Sequence, residues 1–313
     1  MGVITVIGEA VADAIVEPAT DTGTLLLRVY PGGGPANTAV GLARLGTPTR
    51  FLGRLSGGVF GALLRQHLAA SGVDISAAVP ATQPATLAVA ALDPAGQASY
   101  EFYVDGTADW QWTEAEILHG LGGDDAIHTG SLALALDPGG HAIEQALRRV
   151  RPYATISIDP NVRPSIVAPQ TYVDRLPRWF ALADIFRLSA DDLAHLAPGT
   201  SIVDACDRWH DLGVRLVVVT RGGDGAVASL DGERVSVPAV PVTTVDTVGA
   251  GDAFTAGLLH RLHAAGRLGG RLDDLTIDEV AGAIEFGALV AARTCAVPGA
   301  DPPWATSLAD SLG

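Results

Sequence analysis

The chain alternates short apolar runs with longer stretches in which hydrophobic residues recur every three or four positions. Val3–Ile7 is an apolar run closed by Gly8 and followed by Glu9 and Asp13, which predicts a buried strand with polar groups at its carboxyl end. The pattern returns at Ala126–His128 leading into Thr129-Gly130, Thr155–Ile158 into Asp159, Ala183–Leu188 into Ser189, and Leu216–Val219 into Thr220. Helical periodicity covers residues 36–45, 58–70, 140–149, 171–182, 202–212 and 250–265, and several of these stretches stop at a glycine. Such alternation predicts an α/β fold: a mostly parallel sheet, helices on both faces, ligands at the carboxyl ends of the strands. Two regions depart from it. Thr24–Tyr30, and Thr86–Leu92 with Ser99–Val104 across Asp93-Pro94-Ala95-Gly96, read as antiparallel strands, the second pair a hairpin. They predict a separate small sheet that covers the large domain as a lid. Residues 118–125 and 266–270 read as glycine-rich loops.

Composition adds limits. With 313 residues, 48% of them hydrophobic and 18% charged, the chain can bury a large core. A formal charge of −15 disfavours nucleic acid and anionic membrane surfaces as partners. The two cysteines form no disulfide framework, the first residues form no signal peptide, and no apolar run reaches about 18 residues. The expected compartment is the reducing cytoplasm. All 20 basic residues are arginine and none is lysine. This excludes a Walker-A loop, a protein-kinase site and Schiff-base chemistry, each of which needs a lysine amine. If this protein handles phosphates, it does so with backbone amides, helix dipoles, arginine and a metal ion.

The strongest motif is Asp246-Thr247-Val248-Gly249-Ala250-Gly251-Asp252-Ala253-Phe254, after the strand-like Val242–Val245 and at the start of a helix with Phe254, Leu258, Leu262 and Ala265 on one face. Small residues at 249–251 let three amides point outward as an anion hole, and Asp252 sits beside it, where a helix dipole favours its ionised form. A carboxylate there can take the proton of an attacking alcohol. Alternatively, Asp252 caps the helix and the glycines only permit a turn. A second glycine motif, Pro31-Gly32-Gly33-Gly34-Pro35-Ala36-Asn37, opens another helix, with Asn37 offering a donor and an acceptor to hydroxyls.

GGGPANTAVGLARLG near the start and DTVGAGDAFTAGLL near the end together resemble the ribokinase-like (PfkB) carbohydrate kinases, and within them the fructokinases most. The resemblance extends to Gly8 with Asp13, Gly106-Thr107-Ala108-Asp109, Asp159-Pro160-Asn161-Val162-Arg163-Pro164, Thr220–Gly225 and Gly299–Pro303, so it spans nearly the whole chain. It implies a single kinase domain over residues 1–313, a three-layer α/β/α body with a small antiparallel β lid from about 11–34 and 84–107. It also implies ATP-dependent phosphorylation of a sugar's primary hydroxyl, fructose first, with 2-keto-3-deoxygluconate, ribose or a nucleoside as alternatives. By the same resemblance Asp252 is the base, and the Gly249, Ala250 and Gly251 amides are the anion hole. Asp13, Gly33, Gly34 and Asn37 lie on the sugar side; Thr220, Gly222 and Gly225 lie on the nucleotide side. Asp246 and the Val248 carbonyl resemble a monovalent-cation (K⁺) site. Magnesium accompanies ATP, with Asp192 in water-mediated support, although the family's NxxE is here Ser189-Ala190-Asp191-Asp192. Ribokinases commonly carry lysine where this chain has Gly34. A homodimer through the lid is a further family implication.

Other candidates carry two readings each. Arg163 either reaches phosphate or sugar or pairs with an acid, and the same holds with less force for Arg221. His260 and His263, three apart on a helix, lack a third ligand and read as exposed polar residues. Trp110 and Trp112 read as packing at a domain junction, or as contacts to substrate or a partner lid. Tyr100, Phe102 and Val104 alternate with Glu101 and Tyr103 as a two-faced lid strand. Two other classes remain: a sugar- or nucleotide-sensing protein without transfer, and a dinucleotide-dependent oxidoreductase, the latter disfavoured because Gly8-Glu9-Ala10 lacks GxGxxG.

Overall fold

The computed structural model describes residues 2–17, 23–92 and 98–309. In chain order the first elements are β1 (Val3–Ile7), β2 (Val11–Glu17), β3 (Leu26–Gly32), α1 (Gly34–Arg44), β4 (Thr49–Leu52), β5 (Arg54–Ser56) and α2 (Val59–Ala70). There follow β6 (Val79–Ala81), β7 (Leu87–Leu92), β8 (Ala98–Tyr103), α3 (Glu114–Gly120), β9 (Asp124–Gly130), α4 (Ser131–Ala135), α5 (Gly139–Val150) and β10 (Thr155–Asp159). The second half holds α6 (Pro169–Phe180), β11 (Ile185–Ser189), α7 (Ala190–Leu196), α8 (Ile202–Asp211), β12 (Leu216–Thr220), β13 (Ala226–Leu230) and β14 (Glu233–Val237). It ends with α9 (Ala250–Ala264), α10 (Ile277–Cys295) and α11 (Ala305–Ala309).

Eight strands form one sheet in the order β14-β13-β12-β11-β10-β9-β1-β4, parallel except for the β13–β14 hairpin at one edge. Its central strands are buried on both faces, which is why they read as continuous apolar runs. One core cluster joins the sheet to α1, α2, α9 and α10, and the other joins it to α4–α6 and α8, so three layers result. Trp110 and Trp112 belong to the second cluster; both are buried, and the Trp110 indole donates to the Val104 carbonyl. They are packing residues at the root of the lid.

The lid is a second sheet, β3-β2-β7-β8, with β2–β3 and β7–β8 antiparallel and β2 running parallel to β7. The turn expected at residues 93–96 lies outside the described residues. Val242–Val245 is not a strand. The sheet already ends at β14, both valines are exposed, and the Val245 amide donates to the Cys295 carbonyl at the end of α10 instead of to a strand. The glycine-rich stretch 118–125 is mostly regular: α3, opened by a Thr113–Glu116 capping box, runs to Gly120 and β9 begins at Asp124.

The element that fixes the site is α9. It is buried nearly all round from Ala253 to Leu259, although Ala265 beyond its end is exposed. On one side it packs on α10, and a Cβ added to Gly257 would come within 2.8 Å of the Gly287 Cα. On the other side it packs on α1, where a Cβ on Gly41 would come within 2.7 Å of the Ala256 methyl. Glycine-mediated close contacts on both flanks leave this helix no room to slide. His260 and His263 are tied into the same packing: His260 Nδ1 contacts Thr47 Oγ1 at 2.8 Å, and the buried His263 meets the Gly2 carbonyl at 3.1 Å. Their exposed reading is therefore wrong, because α9 is enclosed on the faces that carry them.

Candidate active site

The amino ends of α1 and α9 meet at the carboxyl ends of β9 and β10. Gly249 caps α9 at φ 75°, a left-handed conformation that suits glycine, and a Cβ there would also strike Ala300. The Ala250 amide donates to the Thr247 carbonyl at 3.2 Å. Of the three amides expected in the hole, then, one is already engaged. Among the described residues, those of Gly249 and Gly251 have no backbone acceptor.

Asp252 follows in the first turn of α9, partly open to the pocket. Its carboxylate accepts from Asn37 Nδ2 at 2.9 Å, so Asn37 on α1 orients the acid directly. Burial pushes the Asp252 pKa up to about 6; the Asn37 bond and the charges of Arg163 and Arg187 hold it down, while Asp159 raises it. The helix dipole is thus opposed by burial, but the group still titrates below neutrality and is mostly ionised at pH 7.

Gly34, Pro35, His128, Gly130, Ser131, Asp159, Asn161 and Asp252 line one pocket. Gly34 is glycine for a steric reason: a Cβ would lie 2.7 Å from Asn161 Nδ2 and 3.3 Å from Asp252 Oδ1. A long side chain at 34 has no space here. Gly33, in the left-handed region at φ 100°, turns the chain from the lid into α1. Asp13, on β2, brings the lid to the same mouth; burial raises its pKa to about 6 and the Arg163 charge opposes this. Arg163 also acts on Asp252; among the described residues it makes no ion pair, and one terminal nitrogen donates to the Val162 carbonyl at 3.4 Å. Ser131 and Asn161 adopt positive φ, 53° and 40°, on the pocket wall. Non-glycine residues held in that region mark sites where the surroundings over-determine the backbone.

On the other side of Asp159 lies Arg187, which the sequence reading passed over. It is 5% exposed, donates to Asp159 Oδ2 at 2.6 Å and to Thr220 Oγ1 at 2.7 Å, and stacks over Phe254. Thr220, Gly222 and Gly225 share a loop at the end of β12, and Thr220 is joined to the pocket through this arginine. A single charged residue inside the apolar run Ile185–Ser189 was its only signal. His128, likewise missed, lies under the pocket with Nδ1 3.0 Å from Ser157 Oγ; burial and Arg187 push its pKa down to about 3, so it is neutral.

Asp192 has both oxygens engaged: one accepts from the Val162 amide at 2.8 Å, the other from the Ser189 amide and hydroxyl in a capping box. Asp246 clasps two loops, accepting from the Val248 amide at 3.0 Å and the Gly299 amide at 2.8 Å. Among the described residues no group of three or more His, Cys, Asp or Glu is placed to hold a metal.

A partly open carboxylate oriented by an amide donor, beside free helix-start amides and buried arginine, is an arrangement for moving a phosphoryl group onto an alcohol. The model of the pfkB family of carbohydrate kinases matches residues 2–307, and the chain belongs to that family. It is 38% identical over 257 residues to a fructokinase of Rhizobium leguminosarum bv. trifolii, covering 82% of this chain and 78% of that one. Fructokinase from Xylella fastidiosa, solved with bound ATP, superposes with a TM-score of 0.88 at 25% identity over 99% of this chain and 98% of that one. A Vibrio cholerae fructokinase double mutant, solved with fructose, ADP and potassium ion, gives 0.80 at 28% identity over 96% and 94%.

Proposed function

We propose that this protein is an ATP-dependent fructokinase, and the observation that carries its chemistry is Asp252 held by Asn37 beside the free amides of Gly249 and Gly251. Asp252 takes the hydroxyl proton of the sugar as the oxygen attacks the terminal phosphorus of ATP in line. The amides and the N-terminal dipole of α9 meet the charge on the phosphoryl oxygens. Asp13, Gly33, Gly34 and Arg163 form the sugar side, closed by the lid, and Thr220, Gly222 and Gly225 form the nucleotide side. Excluding water under the lid keeps the phosphoryl group from hydrolysis.

Magnesium suits this donor set as a companion of the triphosphate and not as a resident ion, since Asp192 is already occupied by three donors and no acidic cage exists among the described residues. Asp246 and the Val248 carbonyl remain our choice for potassium, supported by the way Asp246 draws the 248 and 299 loops together. The exposed Tyr100 and Tyr103 of β8 and Leu25–Leu27 around β3 fit a lid-to-lid homodimer. Among the described residues no helix is long and apolar enough to cross a membrane. Cys206 and Cys295 are both free thiols, which suits the reducing cytoplasm.

A coupled ADP-release assay across fructose, ribose, 2-keto-3-deoxygluconate and adenosine tests the reading. Fructose should give the highest kcat/KM by at least about tenfold, the scale set by one or two well-placed hydrogen bonds to substrate hydroxyls. Higher efficiency with another acceptor reassigns the substrate, and sugar binding without ADP release makes the chain a sensor.

A further inference from the structure

Residues 299–304, between α10 and α11, have no regular structure, yet they back the turn that opens α9. A Cβ at Gly249 would come within 2.6 Å of the Ala300 methyl and 3.0 Å of the Ala300 Cα, so Ala300 sits against the bare Cα of Gly249. The Gly299 amide donates to Asp246 at 2.8 Å and so ties the other end of the same turn. Where the Gly249 and Gly251 amides point therefore depends on where residues 299 and 300 sit.

Arg44, the last residue of α1, fixes that position from outside. Beyond the Asp246 bond, the hydrogen bonds that reach residues 299–304 from other elements both come from it, among the described residues. Its Nη1 donates to Asp301 Oδ1 and to the Pro302 carbonyl at 2.7 Å. Its Nε donates to Ser71 Oγ at 3.2 Å, just past α2, and its guanidinium lies over the Trp304 ring, 5.2 Å from the centroid. Pro302 is buried, and a Cβ on Gly41 of α1 would meet it at 3.8 Å. The Arg44 side chain is 10% exposed and that of Asp301 62%. An ion pair with so exposed an acid contributes little, so the carbonyl bond and the aromatic stack of a nearly dry guanidinium do more of the holding. A lysine at 44 could make one of these contacts but not all of them.

We propose that Arg44 is a positioning residue for phosphoryl transfer: it seats residues 299–304 behind the Gly249 turn and so keeps the Gly249 and Gly251 amides aimed at the phosphoryl oxygens. This rests on the reading of the chain as an ATP-dependent sugar kinase. Asn37 lies seven residues before Arg44 on α1, about 10 Å along the axis at 1.5 Å per residue. One helix thus orients the acid through Asn37 at its start and backs the anion hole through Arg44 at its end.

The test compares the parent with Arg44→Met and Arg44→Lys in calorimetric binding of MgADP alone and of MgADP with aluminium fluoride and fructose. Aluminium fluoride beside ADP is a flat anion that stands where the phosphoryl group is in flight, so its complex reads the amides and MgADP alone does not. Fructose is replaced by another acceptor if the ADP-release assay selects one. Arg44→Met should bind MgADP at unit stoichiometry within about threefold of the parent and lose roughly tenfold to a hundredfold in affinity for the aluminium fluoride complex, up to the scale of one misplaced donor in an anion hole. Its kcat should fall in parallel with the sugar KM unchanged, the signature of an interaction made in the transition state. Arg44→Lys should show a smaller loss of about threefold to tenfold, and it carries the test if Arg44→Met does not fold. Trp304 is 47% exposed while the other four tryptophans are buried, so acrylamide quenching of the emission reports residues 299–304 and should rise in both variants. A folded variant whose aluminium fluoride complex stays within twofold of the parent overturns the proposal, and so does unchanged quenching. Equal losses in both complexes also overturn it, since Arg44 would then be a general support of the fold. A parent that neither binds MgADP nor phosphorylates a sugar would instead overturn the kinase reading itself.

Discussion

Two clusters of acids, one at the mouth of the pocket and one at the root of the lid, are partnered differently. At the mouth, Asp252 and Asp159 have arginines beside them, Arg187 for both and Arg163 for Asp252. At the root of the lid, Glu9 and Asp109 have only neutral donors. Asp109 accepts from the Ala10 amide at 3.0 Å, the Thr86 amide at 3.4 Å and the Thr86 hydroxyl at 2.6 Å; Glu9 accepts from the Ala133 amide at 3.1 Å. Burial raises Glu9 to about 7 and Asp109 to about 6, with Asp109 adding to the rise in Glu9. Burial raises Asp252 to about 6 as well. Similar pKa values thus arise in a site open to substrate and in a sealed joint. In the first, protonation reads out as rate; in the second, as stability. Asp109 ties together the residues that lead into β2 and β7, Ala10 and Thr86, so its carboxylate works as a fastener.

The largest expected effect separates the two clusters outright. Asp252→Asn keeps the Asn37-facing geometry but removes the proposed base, and should lower kcat by roughly 10² to 10⁴ with substrate binding retained; near-parental turnover would remove Asp252 from the mechanism. Next comes stability. Glu9 ionises near 4.5 when unfolded and about 7 when folded, so across that window the unfolded state has released a proton that the folded state still holds. Folding stability attributable to Glu9 is full below pH 4.5 and is lost as pH rises to 7, on the order of 3 kcal/mol in all. Glu9→Gln should flatten that decline in denaturant titrations at pH 5 and 7.5, and an unchanged slope would mean Glu9 does not titrate there. For the mouth, kcat/KM should fall about tenfold per pH unit below pH 6 as Asp252 takes up a proton. The smallest change sharpens the pairing: Asn37→Ala deletes a donor that holds the pKa down, so the acid limb should move up by about one unit. A limb that stays in place would assign it to another group.

What the sequence disclosed follows from where contrast exists in it. β1, β10 and β12 were legible because a strand buried on both faces reads as an uninterrupted apolar run, and α9 because glycine, acid and apolar periodicity coincide at its start. The 19-residue α10 was not, since it is rich in small residues on every side and its Gly287 faces another helix. The β13–β14 hairpin escaped because an edge strand with exposed charges looks like a loop. In the site, the motifs point to Asp252, Asn37 and Gly34, and the structure adds that Asn37 holds the Asp252 carboxylate. Arg187 was hidden because its meaning depends on Asp159, Thr220 and Gly251, which only the fold brings together. Asp192 has its capping geometry written in Ser189 and its own position three residues on; its second partner, the Val162 amide, is not.

The register of the lid also bears on how the chain folds. Ala12 pairs with Leu87, so β2 cannot find its parallel neighbour until α1, β4 and α2 have been threaded between them. Its antiparallel partner β3 is close in sequence and can close at once, while the step that fuses the two hairpins carries the entropy of a long loop. The lid is therefore expected to complete late on the folding pathway, after the helices that it will eventually shelter have begun to pack. A newly made chain passes through a stage in which the β2 edge is unpaired, and that is the interval in which it is most exposed to pairing with another copy of itself.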